Sequence, residues 1–498
     1  MSRTKFKRRL NLSDATMLVM GSMIGSGIFI LPASVALQLG SPFYILLAWL
    51  LAGVLTVIAA LSYGELAGMM PKSGGQYVYL REAYGSLVGF LFGWTTFLVI
   101  ETGLIAAVSI AFAKFAAVLL PSLFEPYELF TIGTFTFTTI QLTAFLVLNF
   151  LTFINLQGIE AGKFVQNVFT LTKITALGML ILMGSYIGYN SFYWRVNMSD
   201  FIQPFKTVVE NGVPTQIPLS GFTLISAIGL AMIGPIFSSS AWNTITYTAG
   251  EIIEPEKNIP RSLFLGTLGV AILYALANLC YLALLPAVGV PTGSDVAAHG
   301  IAFADEEQVG TAAAQILFED LGTSAMAIFI MISTFGCVNG IILAGARVYH
   351  AMAKDGLFFK RAGELDKTTR VPRFALIIQA IWASVLCLSG TYSDVLKYVT
   401  FATLLFYILT IGGIFILRRR APDAKRPYKV WGYPILPTLY IVITSAICIN
   451  LLIFEPSIQL FGFSAKPSWV GLSIILLGIP VYFLSSIGKS DEKSDSVK

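Results

Sequence analysis

The chain has 498 residues, 56% of them hydrophobic and only 12% charged, with a formal net charge of +5 and a mean hydropathy of +0.78. Soluble domains carry about 25% charged residues, so the composition excludes a large soluble protein and describes an all-α polytopic membrane protein. The mild positive charge asks for no nucleic-acid partner, because the basic residues fall in loops beside apolar segments.

Residues 1–12 form a basic leader with Arg3, Lys5, Lys7, Arg8 and Arg9 and no acid. The apolar run that follows, from Leu12 past Val35, is too long for a cleaved signal core. It reads as a first membrane span behind a cytoplasmic leader. A span needs ~20 mostly apolar residues. Twelve segments qualify: 13–39, 43–69, 84–120, 137–156, 163–189, 220–250, 262–286, 322–352, 374–390, 394–417, 434–454 and 467–487. The longest outer loops, 190–219 and 290–321, have room for a lid or short helices.

The first span carries Ile24-Gly25-Ser26-Gly27-Ile28-Phe29 at its middle. Non-helical backbone is tolerated in a bilayer only where it is buried in protein or lines a cavity. If the chain unwinds at Gly25-Ser26-Gly27, free amides stand at the start of the next half-helix, its positive end, which suits a carboxylate. Glycine lets backbone approach a ligand closely. Glu65, near the end of the second span, reads as a surface or gate ion pair, and Glu101 as a lone acid in the third. A structural partner for Glu101 is favoured over a proton-carrying role. Lys173 interrupts the fifth span about ten residues in, roughly 15 Å from the cytoplasmic surface. A cation that deep faces the interior and is functional by default, the alternative being snorkelling to the surface.

The sixth span repeats the pattern at the matching place in the second half, with Gly234-Pro235-Ile236-Phe237-Ser238-Ser239-Ser240-Ala241-Trp242-Asn243. Unwinding around Ile236–Ser240, helped by Pro235, would leave carbonyls that suit an ammonium group. Paired breaks of this kind point to a transporter's substrate site, here one shaped for an α-amino acid. Small-residue helix packing is the alternative for either segment alone.

The loops after spans eight and ten are basic, while 291–320 holds six acids and no Lys or Arg. By the positive-inside rule both termini are cytoplasmic. The four cysteines lie in apolar runs, so no disulfide framework or metal cluster is indicated, and His299 and His350 are isolated. No nucleophile–base pair or phosphate loop occurs at membrane depth. Gly25-Ser26-Gly27 lacks the strand–turn–helix setting of a nucleotide loop. An enzyme is therefore not indicated, and no cofactor is implied.

Ile24-Gly25-Ser26-Gly27-Ile28-Phe29, Tyr63-Gly64-Glu65-Leu66 and Met70-Pro71-Lys72-Ser73-Gly74-Gly75-Gln76-Tyr77 resemble the amino acid–polyamine–organocation superfamily. Phe237 to Asn243, Gly250-Glu251-Ile252, Asn258-Ile259-Pro260-Arg261, Gly336 to Gly340 and Arg426-Pro427-Tyr428-Lys429-Val430 resemble its L-type amino acid transporter branch. The resemblance, over roughly residues 12 to 450, implies a five-plus-five inverted repeat with discontinuous helices 1 and 6. Spans 1–5 (13–190) and 6–10 (220–417) would be the repeats, separated by the outer loop 191–219. Spans 11–12 with their basic loop (418–487) and a disordered cytoplasmic tail (488–498) would follow.

It also implies alternating-access exchange, with Ile24, Gly25, Ser26 and Gly27 holding the substrate carboxylate. Ile236, Phe237, Ser239 and Ser240 would line the amino-group side, with Phe237 as gate, and Glu101 and Asn243 in support. Lys173 would occupy the place where sodium-coupled relatives bind a cation. Two departures matter. Ser240-Ala241 stands where many members have two glycines, which shrinks the pocket toward alanine, serine or threonine. Loop 121–136 lacks the cysteine that joins animal members to a glycoprotein, so a stand-alone bacterial-type permease of the plasma membrane is expected. The expectation is sodium-independent exchange of small neutral L-amino acids. The alternatives are proton-coupled symport on the same fold, polyamine transport, for which more midplane carboxylates are wanted, and a sensor that binds without transport.

Overall fold

A segment crossing a bilayer must satisfy its backbone amides within its own helix, and the sequence supplies long runs apolar on every side. The computed structural model describes residues 8–121, 127–132, 135–210, 213–389, 392–460 and 463–495. Among them, 11 helices are long and apolar enough to cross a membrane. The segment expected as the ninth span is a 17-residue helix, Arg373–Ser389, shorter than the ~20 residues a perpendicular crossing takes. The basic leader's Arg3, Lys5 and Lys7 lie outside the described residues. The last helix, Pro467–Asp495, carries helical backbone into the tail expected to be disordered.

The first span starts at a capping box: Asn11 Oδ1 accepts from the Asp14 amide (2.9 Å) and Asp14 Oδ2 from the Asn11 amide (3.1 Å), satisfying amides the helix start leaves open. Asp14 also accepts from Asn167 Nδ2 on the fifth span. Pro42–Met69 packs along Pro255–Leu284, and Glu101–Leu119 along Val309–Lys354, which also packs against Ile159–Gly188. These helices surround the two broken spans.

Several elements depart from the sequence expectation. A helix, Gln76–Tyr84, lies between the second and third spans. It is entered through Gly74 and Gly75, both at positive φ, and a Cβ on Gly75 would run into Thr246 of the sixth span. Loop 190–219 forms the helix Phe192–Ser199 and an antiparallel hairpin, Phe205–Glu210 with Val213–Pro218. In the other long outer loop, Val309 begins a helix that kinks at Glu319 (φ 54°) before the eighth span.

Glu65, expected near the surface, is fully buried. Its carboxylate accepts from Arg418 Nε (2.9 Å), Arg418 Nη2 (2.6 Å) and the Val430 amide (2.8 Å). The end of the tenth span and the basic loop after it thus each turn an arginine inward, since Arg426 Nε also lies 3.5 Å from the same carboxylate. A buried carboxylate is tolerable only with such partners.

Candidate functional site

The first span is helical over Leu12–Met23, leaves helical geometry at Ile24 (ψ 91°), and resumes as Gly27–Ile30 and Pro32–Leu39. The carbonyls released by the break are taken up by side chains of other helices. Lys173 Nζ donates to Gly21 O (2.6 Å), Ile24 O (2.7 Å) and Ser333 O (3.2 Å). Ser333 Oγ donates to Ile24 O (3.0 Å), Cys337 Sγ to Ser22 O (3.0 Å) and Tyr274 OH to Met23 O (3.0 Å). Lys173 is 1% exposed. It does not snorkel; its charge is spent on helix 1.

The sixth span is helical over Gly221–Ala231 and Ile233–Ser238, opens across Ser239–Asn243, and resumes at Thr244–Tyr247. The break lies later than Pro235 suggested. Pro235 is the third residue of its helical turn, where a missing N–H goes unnoticed. The departure comes instead at Ala241, whose φ of +65° few L-residues adopt. Ser240 Oγ donates to Phe237 O (2.6 Å) and Tyr274 OH to Ser238 O (3.1 Å). Tyr274 therefore ties both breaks together.

A small cavity of about 20 Å³ lies between the breaks, room for about one water. Of the residues expected at the site, Gly25, Ser26, Gly27, Phe237 and Ser240 line it, with Ser22, Cys337, Leu104 and Ala241 beside them. On one side stand the amides of Gly27 and Ile28, at the start of Gly27–Ile30, where a helix leaves its first amides without an intrahelical acceptor. On the other is the carbonyl end of Ile233–Ser238. Ile24 is turned away, its carbonyl held by Lys173 and Ser333. Ile236 and Ser239 line a different cavity, behind the sixth span, with Trp242, Tyr407 and Tyr440. A one-residue step around a helix separates the two faces.

Asn243 is a junction. Its Nδ2 donates to Gln76 Oε1 and Tyr247 OH (both 2.8 Å), and its Oδ1 accepts from Tyr407 OH (3.0 Å). Glu101 lines an adjoining cavity with Gln76, Asn243, Tyr247 and Tyr407. The structural partner expected for it is not found at Oε2, which has no hydrogen-bond partner among the described residues.

Sequence reasoning missed Ser333 and Cys337, two small polar residues one turn apart on the eighth span, and Tyr274, one of many aromatics in apolar runs. Their partners on the first span are backbone carbonyls 251 to 315 residues away, so no local pattern reveals these bonds. Tyr274→Phe is expected to remove the shared donor of the Ser238 and Met23 carbonyls, the latter keeping the Gly25 amide. The cost should be about 1–3 kcal/mol, read as a lower thermal midpoint together with slower transport in proteoliposomes.

The family model for amino acid permeases matches residues 10–481. Large neutral amino acids transporter small subunit 2 of Mus musculus is 30% identical over 484 residues, 96% of this chain and 81% of the mouse protein. Serine/threonine exchanger SteT of Bacillus subtilis is 30% identical over 481 residues, 96% of each chain. Asc-type amino acid transporter 1 of Mus musculus is 28% identical, over 99% of this chain and 83% of its own.

Proposed function

The chain belongs to the amino acid permease family, and from that premise we propose that it exchanges small neutral L-amino acids across the plasma membrane without sodium. It is a multi-pass membrane transporter, not an enzyme. The observation that carries the substrate reading is the cavity between two broken helices, amides on one side and carbonyls on the other. An α-carboxylate takes the amides of Gly27 and Ile28 and an α-ammonium the carbonyl end of Ile233–Ser238, with Ser26 and Ser240 adjoining and Phe237 closing over the ligand. The two halves act as inverted repeats that rock around this point, with both termini cytoplasmic.

Lys173 supports sodium independence. Its ammonium lies within 3.2 Å of three carbonyl oxygens, the kind of oxygen set a hard cation would use, so the chain brings its own fixed charge. Similarity to a serine/threonine exchanger over 96% of both chains agrees with a small substrate and a stand-alone subunit.

Counterflow in proteoliposomes tests the reading: uptake of labelled serine should require internal amino acid and be unchanged when choline replaces sodium. Uptake driven by a pH gradient alone, with empty vesicles, would give the proton symporter instead. A substitution tests the size argument. Ala241→Gly removes a methyl from the cavity wall and places glycine where φ is positive. Competition by leucine against labelled serine is expected to strengthen roughly tenfold, as read from a panel of unlabelled amino acids.

A further inference from the structure

Glu101 is set by an irregularity in its own helix. The third span is π-helical over Thr96–Ile100, immediately before it, and such bulges swing the following side chains out of the regular register. The carboxyl is 2% exposed and faces the cavity adjoining the one between the breaks. The two cavities share Leu104, Ser240 and Ala241. From Glu101 to Leu104 is one helical turn, about 5 Å.

The other polar groups of this chamber are mostly spoken for. Asn243 bonds Gln76, Tyr247 and Tyr407, while Gln76 Nε2 donates to Thr410 Oγ1 (3.1 Å). Two oxygens in the lining have no partner among the described residues: Glu101 Oε2 and Thr403 Oγ1. No lysine or arginine among the described residues lines the chamber, and Lys173 is committed to the carbonyls of helix 1 and to Ser333. A buried carboxylate without a counter-charge is costly. The walls also include the aromatic residues Phe92, Phe406 and Tyr407. What the chamber lacks is a positively charged hydrogen-bond donor.

We propose that Glu101 and Thr403 form a second subsite, one turn along the third span, that receives the ammonium group of the transported amino acid as it leaves the carbonyls of the sixth span. The proposal rests on the reading of the protein as an amino acid transporter. The ammonium crosses Ser240 and Ala241, the shared wall, and moves from carbonyl acceptors to a carboxylate. Any α-amino acid carries this group, so the subsite adds no side-chain preference.

The test uses the full-length protein and 2-amino-1,3-propanediol, an amine that resembles serine without its carboxylate and so cannot use the helix 1 amides. It is expected to inhibit serine counterflow in the wild type. A charged hydrogen bond is worth enough that Glu101→Gln should require roughly tenfold more of the amine or beyond. Glu101→Asp, which keeps the charge, should stay within about threefold. Thermal stabilisation of the purified proteins by the amine provides the same comparison without transport, and the two variants' melting curves report folding. Equal inhibition and equal stabilisation in wild type and Glu101→Gln would overturn the subsite. So would a variant that loses only a pH-gradient response, which would make Glu101 a proton site. If the wild type exchanges no amino acid at all, the transport reading fails, while amine stabilisation that depends on Glu101 still identifies the cation site.

Discussion

Replacing Lys173 with alanine is expected to lower amino acid exchange about a hundredfold while leaving the protein folded and inserted. Its Nζ reaches Gly21 O at 2.6 Å, Ile24 O at 2.7 Å and Ser333 O at 3.2 Å, so one ammonium pins the end of the first half-helix, where helix 1 breaks, to the eighth span. Charged hydrogen bonds contribute about 1.5–3 kcal/mol each; two of them act on the broken segment and the third anchors the ammonium to the eighth span. The surrounding helices keep their packing without Lys173. The loss should therefore appear as a misplaced Gly25-Ser26-Gly27 segment more than as global unfolding. Misplacing a binding group by about 1 Å is enough for a hundredfold loss of rate.

Lys173→Met separates the two roles of the side chain, because it keeps an apolar stem of similar length without a donor. It should match alanine in transport and exceed it in thermal stability. Counterflow of labelled serine gives the first quantity and the melting midpoint of purified protein the second. Near-normal exchange in either variant would remove Lys173 from the mechanism.

What could be read in the sequence was whatever a bilayer makes expensive. A lysine ten residues into an apolar run, and glycine and serine where helix should continue, are violations of a strong rule. Lys173 and Gly25-Ser26-Gly27 stand out for that reason. Pro235 misleads because a proline at the start of a helical turn looks in sequence like one that ends it. The positive φ of Ala241 has no sequence mark, since alanine is a common helix former. The hairpin from Phe205 to Pro218 does have one. Asn211-Gly212 between two β-prone runs is a strong turn signal, which loop length alone does not reveal. Glu65 could not have been placed, because its partners lie hundreds of residues away, nor could Tyr274, which joins Met23 and Ser238 from two different spans.

At Gly27 the two broken helices approach closely, and Gly27→Ala is expected to cut exchange by at least tenfold. A Cβ built there would meet Ser238 Oγ, and would stand 2.9 Å from Ser238 Cβ and 3.0 Å from Ser238 Cα. The Cα is backbone and cannot rotate aside. Ser238 Oγ is itself bonded to Gly234 O (2.9 Å), which holds the serine in place. The added methyl thus pushes the start of Gly27–Ile30 away from the end of Ile233–Ser238, at an overpacking cost of about 1–3 kcal/mol. Those are the two segments proposed to hold opposite ends of one amino acid, so their separation should show directly in transport.

Gly25→Ala is the comparison. Its Cβ would lie 3.2 Å from Cys337 Sγ, a side chain that can shift, so it should raise the concentration for half-maximal exchange more than it lowers the maximal rate. Ser238→Gly in the Gly27→Ala background removes Oγ and Cβ, so that only the backbone of the sixth span still stands against the new methyl. Because the two residues touch, their effects should not add, and the double variant should regain part of the lost exchange. Initial counterflow rates over a range of serine concentrations separate these cases. If Gly27→Ala exchanged at the wild-type rate, the breaks would not need this close approach, and the cavity between them would lose its claim to the substrate.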